Sequence, residues 1–330
     1  ILLLATIGLI VLGVAFPGFL NAVQWDSNLT LYLSYTSRAA IASPGYAHRA
    51  IDPDVVAQIR AHPAVAHTIS AKPLSMMVNS PLVGDMFSIP VYAVREQDLP
   101  TLLEVYGLHL DEGELVQPRS GQIVLTSALA RNRNLSVGDA IGHPVHERDG
   151  MPTELTVVGL LEPTGPALVD RAGYDVPPMP RWAGFTSYEY VDGHERYTGT
   201  PTYLLVVPVS GRESEMEVWL EETVASPRVQ IATLGTSYRL WQDAVRIITI
   251  TYAISMVILT TVAASGLAIL NRVFIAQRRD EFGVLHAVGH SRAGLVARTL
   301  REGTSITAAA WMAGAAVCIA GLFFAQAVVY

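Results

Sequence analysis

Lysine is nearly absent from this sequence: Lys72 is the only one in 330 residues, and no glycine-rich turn precedes it. A P-loop needs the pattern G-x-x-x-x-G-K-[ST], whose lysine reaches the β- and γ-phosphates, so the sequence contains no ATPase of that class. ATP-driven work would fall to another polypeptide or to chain beyond this sequence. Cysteine is as scarce. Cys318 stands alone in a charge-free stretch, so no disulfide braces the rest, which must fold by burial alone.

Charge is missing from three long runs. Ile1 to Gln24, Ile247 to Asn271 and Gly303 to Tyr330 contain no Asp, Glu, Lys or Arg, and about 20 apolar residues cross a bilayer as a helix. They concentrate the apolar excess that gives a mean hydropathy of +0.35. Trp25 sits where an interfacial aromatic belongs. A secretory signal is the competing reading of the first run. The run is longer than an ordinary signal core and shows no basic segment before it, which favours a span. The sequence opens without Met, inside the apolar run, so residues upstream of Ile1 are expected.

Charge sign then sets the topology. Arg272, Arg278, Arg279, Arg292, Arg298 and Arg301 crowd the connection between the second and third runs, against Asp280, Glu281 and Glu302, whereas the long insert is acidic. Positive loops stay cytoplasmic. The predicted fold class is therefore a membrane protein: transmembrane α-helices plus a large extracytoplasmic α+β domain inserted between the first and second spans. The predicted domains are span 1 (1–24), the exported domain (25–237), a stalk continuous with span 2 (238–271), a cytoplasmic connection (272–302) and span 3 (303–330).

Within the insert, Asp52-Pro53 reads as an N-cap and first helical residue. Short strands are predicted at 65–70, 75–79 and 87–94, broken by Pro73, Pro81 and Gly84. A helix over 97–106, a strand over 122–125 and a short helix over 127–132 follow. A hairpin then closes with Glu154 to Leu161, its exposed tip at Arg148-Asp149-Gly150. Residues 162–182, rich in Pro and Gly, read as a loop within an inserted lobe reaching Tyr197. A strand at 202–209, a charged helix at 213–224 and a strand at 228–232 complete the domain.

No catalytic set emerges. His143, His146, Glu147 and Asp149 are close in sequence, but the histidines are three apart with Pro144 between them, not four apart on a helix, so an exposed polar hairpin is the better reading. Gly289-His290-Ser291-Arg292-Ala293 fails as a nucleophile elbow, because Ala replaces the last Gly and the context is a turn between helices. Ser291 reads instead as a helix N-cap after Gly289. The acidic groups at Asp111, Glu112 and Glu114, and at Glu213, Glu215, Glu217, Glu221 and Glu222, read as solvated faces.

The basic connection carries more. At ~100° per residue, Phe282, Val284, Leu285 and Val288 share a broad apolar face that also holds Glu281, with Arg279 and His286 opposite. A carboxylate there suits a cleft on a partner protein presenting Arg or Lys. Its alternative role is to complement the amino end of its own helix.

The run Arg278-Arg279-Asp280-Glu281-Phe282-Gly283-Val284-Leu285-His286-Ala287-Val288-Gly289, with Glu302 opening a Gly/Ala-rich span, resembles the FtsX-like permease family of ABC transporters, of the MacB and LolC types. The insert is similar to a MacB-like periplasmic core domain through residues 121–130, Leu135-Ser136-Val137-Gly138-Asp139 and Val157-Val158-Gly159. The motifs are short, and their order across nearly the whole sequence carries the resemblance.

The resemblance implies a permease subunit in a bacterial inner membrane, paired with a second permease subunit and docking ATP-binding cassette subunits. The lipid bilayer is a further partner, and nucleic acid is not. ATP and Mg would be bound by the cassette partner and no cofactor by this chain, which would not be an enzyme by itself. The implied coupling residues are Arg279, Glu281, Phe282, Gly283, Leu285, Ala287, Gly289 and Ser291, with Glu302 at the membrane edge and Gly314, Cys318 and Gly321 packing helices. Movement of the exported domain by mechanotransmission would serve export, extraction or efflux. The family's fourth span does not occur in this sequence. The alternative function is a non-transporting membrane regulator of an extracytoplasmic hydrolase or a sensor kinase.

Overall fold

In the computed structural model, which describes residues 36, 38–46, 48–80, 84–163, 168–169, 175–176, 182–289, 291–298, 301 and 320, the first helix begins where its residue types place it. Asp52 Oδ1 accepts from the Asp54 amide at 3.0 Å, and Pro53 opens α1 (Pro53–Ala61). The chain divides into two units: Asp26–Gln242, and Ile1–Trp25 together with Asp243–Tyr330.

The first unit is a mixed α/β domain built on one ten-stranded sheet. Its strands are β1 (Ala40–Pro44), β2 (Val65–Ser80), β3 (Gly84–Val94), β4 (Leu108–Gly113), β5 (Gln122–Thr126), β6 (Ala140–Ile141) and β7 (Leu155–Pro163). After a separate pair, β8 (Leu168–Val169) with β9 (Asp175–Val176), come β10 (Gly184–Ser187), β11 (Tyr203–Pro208) and β12 (Val229–Ala232). The order is β12-β1-β11-β2-β3-β10-β5-β7-β4, with β6 paired to β7. Among the described residues, only the β3/β10 and β5/β7 pairs are parallel.

Two expectations change here. Residues 65–80 are one strand and not two pieces, because the prolines fall where a ladder bond is not needed. Pairing of β2 with β11 ends at Ala71, just before Pro73, and pairing of β3 with β10 starts at Val91, just after Pro90. Beyond those points β2 and β3 continue as a two-stranded ribbon. Second, the expected lobe up to Tyr197 contains a central strand: β10 lies between β3 and β5 with all four residues buried. Four residues are too few to show a period against a Pro/Gly-rich background.

Alternation along the strands sends successive side chains to opposite faces. One face carries Ile69, Tyr92, Val124, Phe185 and Leu205 beneath α2 (Leu99–Tyr106). The other carries two clusters. Met76, Ile89, Val91, Ile123 and Leu125 pack with α3 (Ser127–Arg133), while Ala40, Ala42, Leu204 and Val206 pack with Ile59 of α1 and Met216 of α5 (Glu213–Trp219, numbered after α4, Tyr188–Gly193). Fully burying a side chain such as Phe185 contributes ~1.5–3 kcal/mol.

A five-residue π-helical turn, Leu220–Val224, extends α5 and buries Leu220 and Val224. After β12 the chain enters α6 (Leu234–Gln277), one helix of 44 residues, followed by α7 (Arg279–Ala287). Counting described residues alone, no helix is long and apolar enough to cross a membrane. The charge-free residues 247–271 nevertheless belong to α6, and Ile247, Ile250, Ile254, Val257, Ile258, Val262 and Ile269 are all exposed along it. The first and third charge-free runs lie outside the described residues, apart from residue 320.

Candidate functional site

Within the basic connection, α7 and residues 292–298 are both helical. Asp280 and Glu281 occupy the first turn of α7, where carboxylates complement the helix dipole. The helix stops because Gly289 takes a φ of 103°, a conformation that side chains with a Cβ resist, and its amide donates to the His286 carbonyl at 3.1 Å. Ser291 Oγ then accepts from the Gly294 amide at 3.2 Å, capping helical residues 292–298.

The apolar face of α7 is divided. Phe282 and Leu285 are half-buried, whereas Val284 and Val288 are 66% and 77% exposed. Glu281 falls at helical spacing from both exposed valines. Its side chain is 69% exposed and lies 3.6 Å from Arg278 Nε, an ion pair too long and too wet to hold it firmly. Arg279, Gly283, Ala287 and Ser291 are exposed as well, and among the described residues a Cβ on Gly283 would meet nothing within 4 Å. Glu302, Gly314, Cys318 and Gly321 lie outside the described residues.

A second constellation, missed in the sequence, sits where α6 begins. Thr233 and Thr236 cap the helix reciprocally: the Thr233 amide donates to Thr236 Oγ1 at 2.7 Å, and the Thr236 amide donates to Thr233 Oγ1 at 3.0 Å. Thr233 is fully buried, and its hydroxyl donates to Glu221 Oε1 on the π-helical turn. The other oxygen of the same carboxylate accepts from Arg239 Nη2 at 2.7 Å. Thr36 Oγ1 donates to Ser237 Oγ at 3.1 Å, both side chains being buried. Burial opposes the charge on Glu221, but the hydrogen bonds from Thr233 and Arg239 outweigh it and hold the carboxyl below its ordinary value. The spacing Thr233-x-x-Thr236 was the available clue, being that of a capping box.

The corner around residues 142–154 overturns the exposed-tip reading. Asp149 is fully buried and paired with the Arg133 guanidinium, which also donates to Asn79 Oδ1 at 2.8 Å. His146 Nδ1 lies 3.5 Å from the other Asp149 oxygen, while His143 and Glu147 face solvent. Asn79 and Asn132 exchange further bonds, so the corner fastens the β2/β3 ribbon to α3. Burying a single charge is prohibitive, and the partner here comes from another element, which local sequence could not reveal. Among the described residues, no group of three or more His, Cys, Asp or Glu could hold a metal ion. Lys72 is also inside: it is 8% exposed, its Nζ sits 2.6 Å from Asp192 Oδ1, and it lies 5.4 Å from the centre of the Tyr188 ring.

No family model matches the sequence, and no curated protein does. Solved structures do resemble the chain. The periplasmic region of MacB from Actinobacillus actinomycetemcomitans is 12% identical over 63% of this chain and 94% of its own, with a TM-score of 0.36. The extracellular domain of the noncanonic ABC-type transporter YknZ from Gram-positive bacteria is 8% identical over 59% and 98%, with a TM-score of 0.33. A domain of a protein described as a putative permease, from Porphyromonas gingivalis, is 10% identical over 59% and 88%, with a TM-score of 0.30.

Proposed function

We propose that this chain is the membrane-spanning subunit of an ABC transporter of the FtsX/MacB type, coupling ATP hydrolysis by a separate cassette subunit to movement of its extracytoplasmic sheet domain. The observation that carries this reading is the outer face of α7. Glu281, Val284 and Val288 stand exposed together within a basic connection, a face suited to an apolar cleft with a cation in it. The row of exposed isoleucines and valines on α6 supports a lipid environment for residues 247–271, which at ~1.5 Å per residue extend roughly 37 Å.

The chain itself performs no ATP chemistry on this reading. Its sole lysine is buried and ion-paired inside β2, far from any phosphate-cradling turn. The test is Glu281→Lys in the full chain, scored by co-purification of a cassette ATPase and by stimulation of its ATP hydrolysis. Loss of both is the expected result. Unchanged values for both remove Glu281 from the mechanism, and a hydrolase or kinase recovered instead of a cassette subunit replaces the reading with a regulatory one.

A further inference from the structure

The first turn of α6 is tied down more heavily than helix capping requires. A helix N-terminus has four amides without intrahelical partners, and a frayed end lets a helix tilt without moving what precedes it. Here the reciprocal threonine cap closes the end from within. Glu221, from a different element, then bridges two successive turns, taking Thr233 on one oxygen and Arg239 on the other. Thr36, distant by 201 residues, adds a buried bond to Ser237 in the same turn. The carboxylate also sits at the positive end of the helix dipole. It is carried by a π-helical turn, a rare geometry that recurs at functional sites, and that turn is anchored in the core by Leu220 and Val224.

We propose that Glu221, gripped by Thr233 and Arg239, locks the first turns of α6 to the π-helical turn and β12, so that displacement of the helix is passed into the sheet domain and not absorbed at the helix end. Glu221 is thus a positioning residue that acts through Arg239 and the cap. The inference rests on the permease reading for the origin of that displacement. The lock itself can be measured without any partner.

Hydrogen exchange on the full chain in nanodiscs tests the lock. Glu221→Ala speeds exchange of amides 234–238 and 229–232 together, roughly tenfold or more, the factor that corresponds to losing one charge-assisted hydrogen bond. Acceleration confined to one of the two segments overturns the proposal. With the co-purified cassette subunit and Mg-ATP added, residues 220–232 change their exchange on ATP binding. Arg239→Glu abolishes that change while leaving the ATPase rate intact, and Arg239→Lys, which keeps a cation opposite Glu221 and leaves its bond from Thr233 in place, retains it. A purely stabilising ion pair would not remove the ATP response selectively. An ATP response that persists in Arg239→Glu overturns the proposal, whereas failure of Glu281→Lys to affect the cassette subunit counts against the permease reading and leaves the partner-free exchange result to judge the lock.

Discussion

Replacing Asp149 with alanine leaves the Arg133 guanidinium, only 8% exposed, without its buried counter-ion. Asn79 Oδ1, which another Arg133 nitrogen meets at 2.8 Å, is uncharged and does not replace the carboxylate. Breaking a buried pair from one side costs about 3–5 kcal/mol, because the surviving charge keeps its desolvation penalty and loses its compensation. For a domain of this size each kcal/mol lowers the unfolding midpoint by ~2–4 °C, so Asp149→Ala should lower it by roughly 6–20 °C. The control is Glu162→Ala, which breaks the pair with Arg131, whose side chain is 72% exposed, and should cost only about 0.2–1 kcal/mol. A double change, Arg133→Met with Asp149→Leu, removes both charges and should recover most of the loss. The assay is thermal unfolding of the full chain in detergent, followed by near-ultraviolet circular dichroism. A midpoint for Asp149→Ala no lower than that of Glu162→Ala would refute the assignment of a buried ionic clasp to this corner.

Two further outcomes are expected. Because Glu221 is held below its ordinary carboxyl value in the folded state, its contribution to stability is complete above the unfolded carboxyl range and drains away as pH falls through the lowered folded value. Thermal unfolding between neutral and acid pH should therefore decline less steeply in Glu221→Gln than in the wild type, and parallel curves would contradict the network. The sole lysine gives a clean probe of folding. Lys72, buried against Asp192 and Tyr188, should resist an amine-reactive acylating reagent in the native chain and react readily in urea, with modification at position 72 read by peptide mass spectrometry.

Much of the local structure is legible in the residues because it depends on neighbours in sequence. Asp52-Pro53 starts a helix, Gly289 ends one and Ser291 starts the next, since each works through its own backbone conformation or an amide two or three residues away. The strand Gln122–Thr126 and the helix Ser127–Arg133 fall within a residue or two of expectation for the same reason. β10 was not legible, because a strand of four buried residues is defined by the neighbours it slots between. β2 reads as broken in the sequence because Pro73 forbids a ladder bond only on a side that has a partner, and the end of β11 pairing at Ala71 is a fact of topology.

The sequence by itself determined the distribution of charge: three runs without any, a basic connection between the last two, and an acidic insert without a P-loop lysine or a disulfide. Those properties are sums over residues and need no fold. Tertiary structure alone decided which polar groups are paired. Asp149 finds Arg133, Lys72 finds Asp192, and Glu221 finds both Thr233 and Arg239, across 16, 120, 12 and 18 residues respectively. Separations of this kind carry no local periodicity, and Asp149, Arg133 and Lys72 are buried with little solvent to turn to, so the partners are fixed only when the sheet brings their elements together.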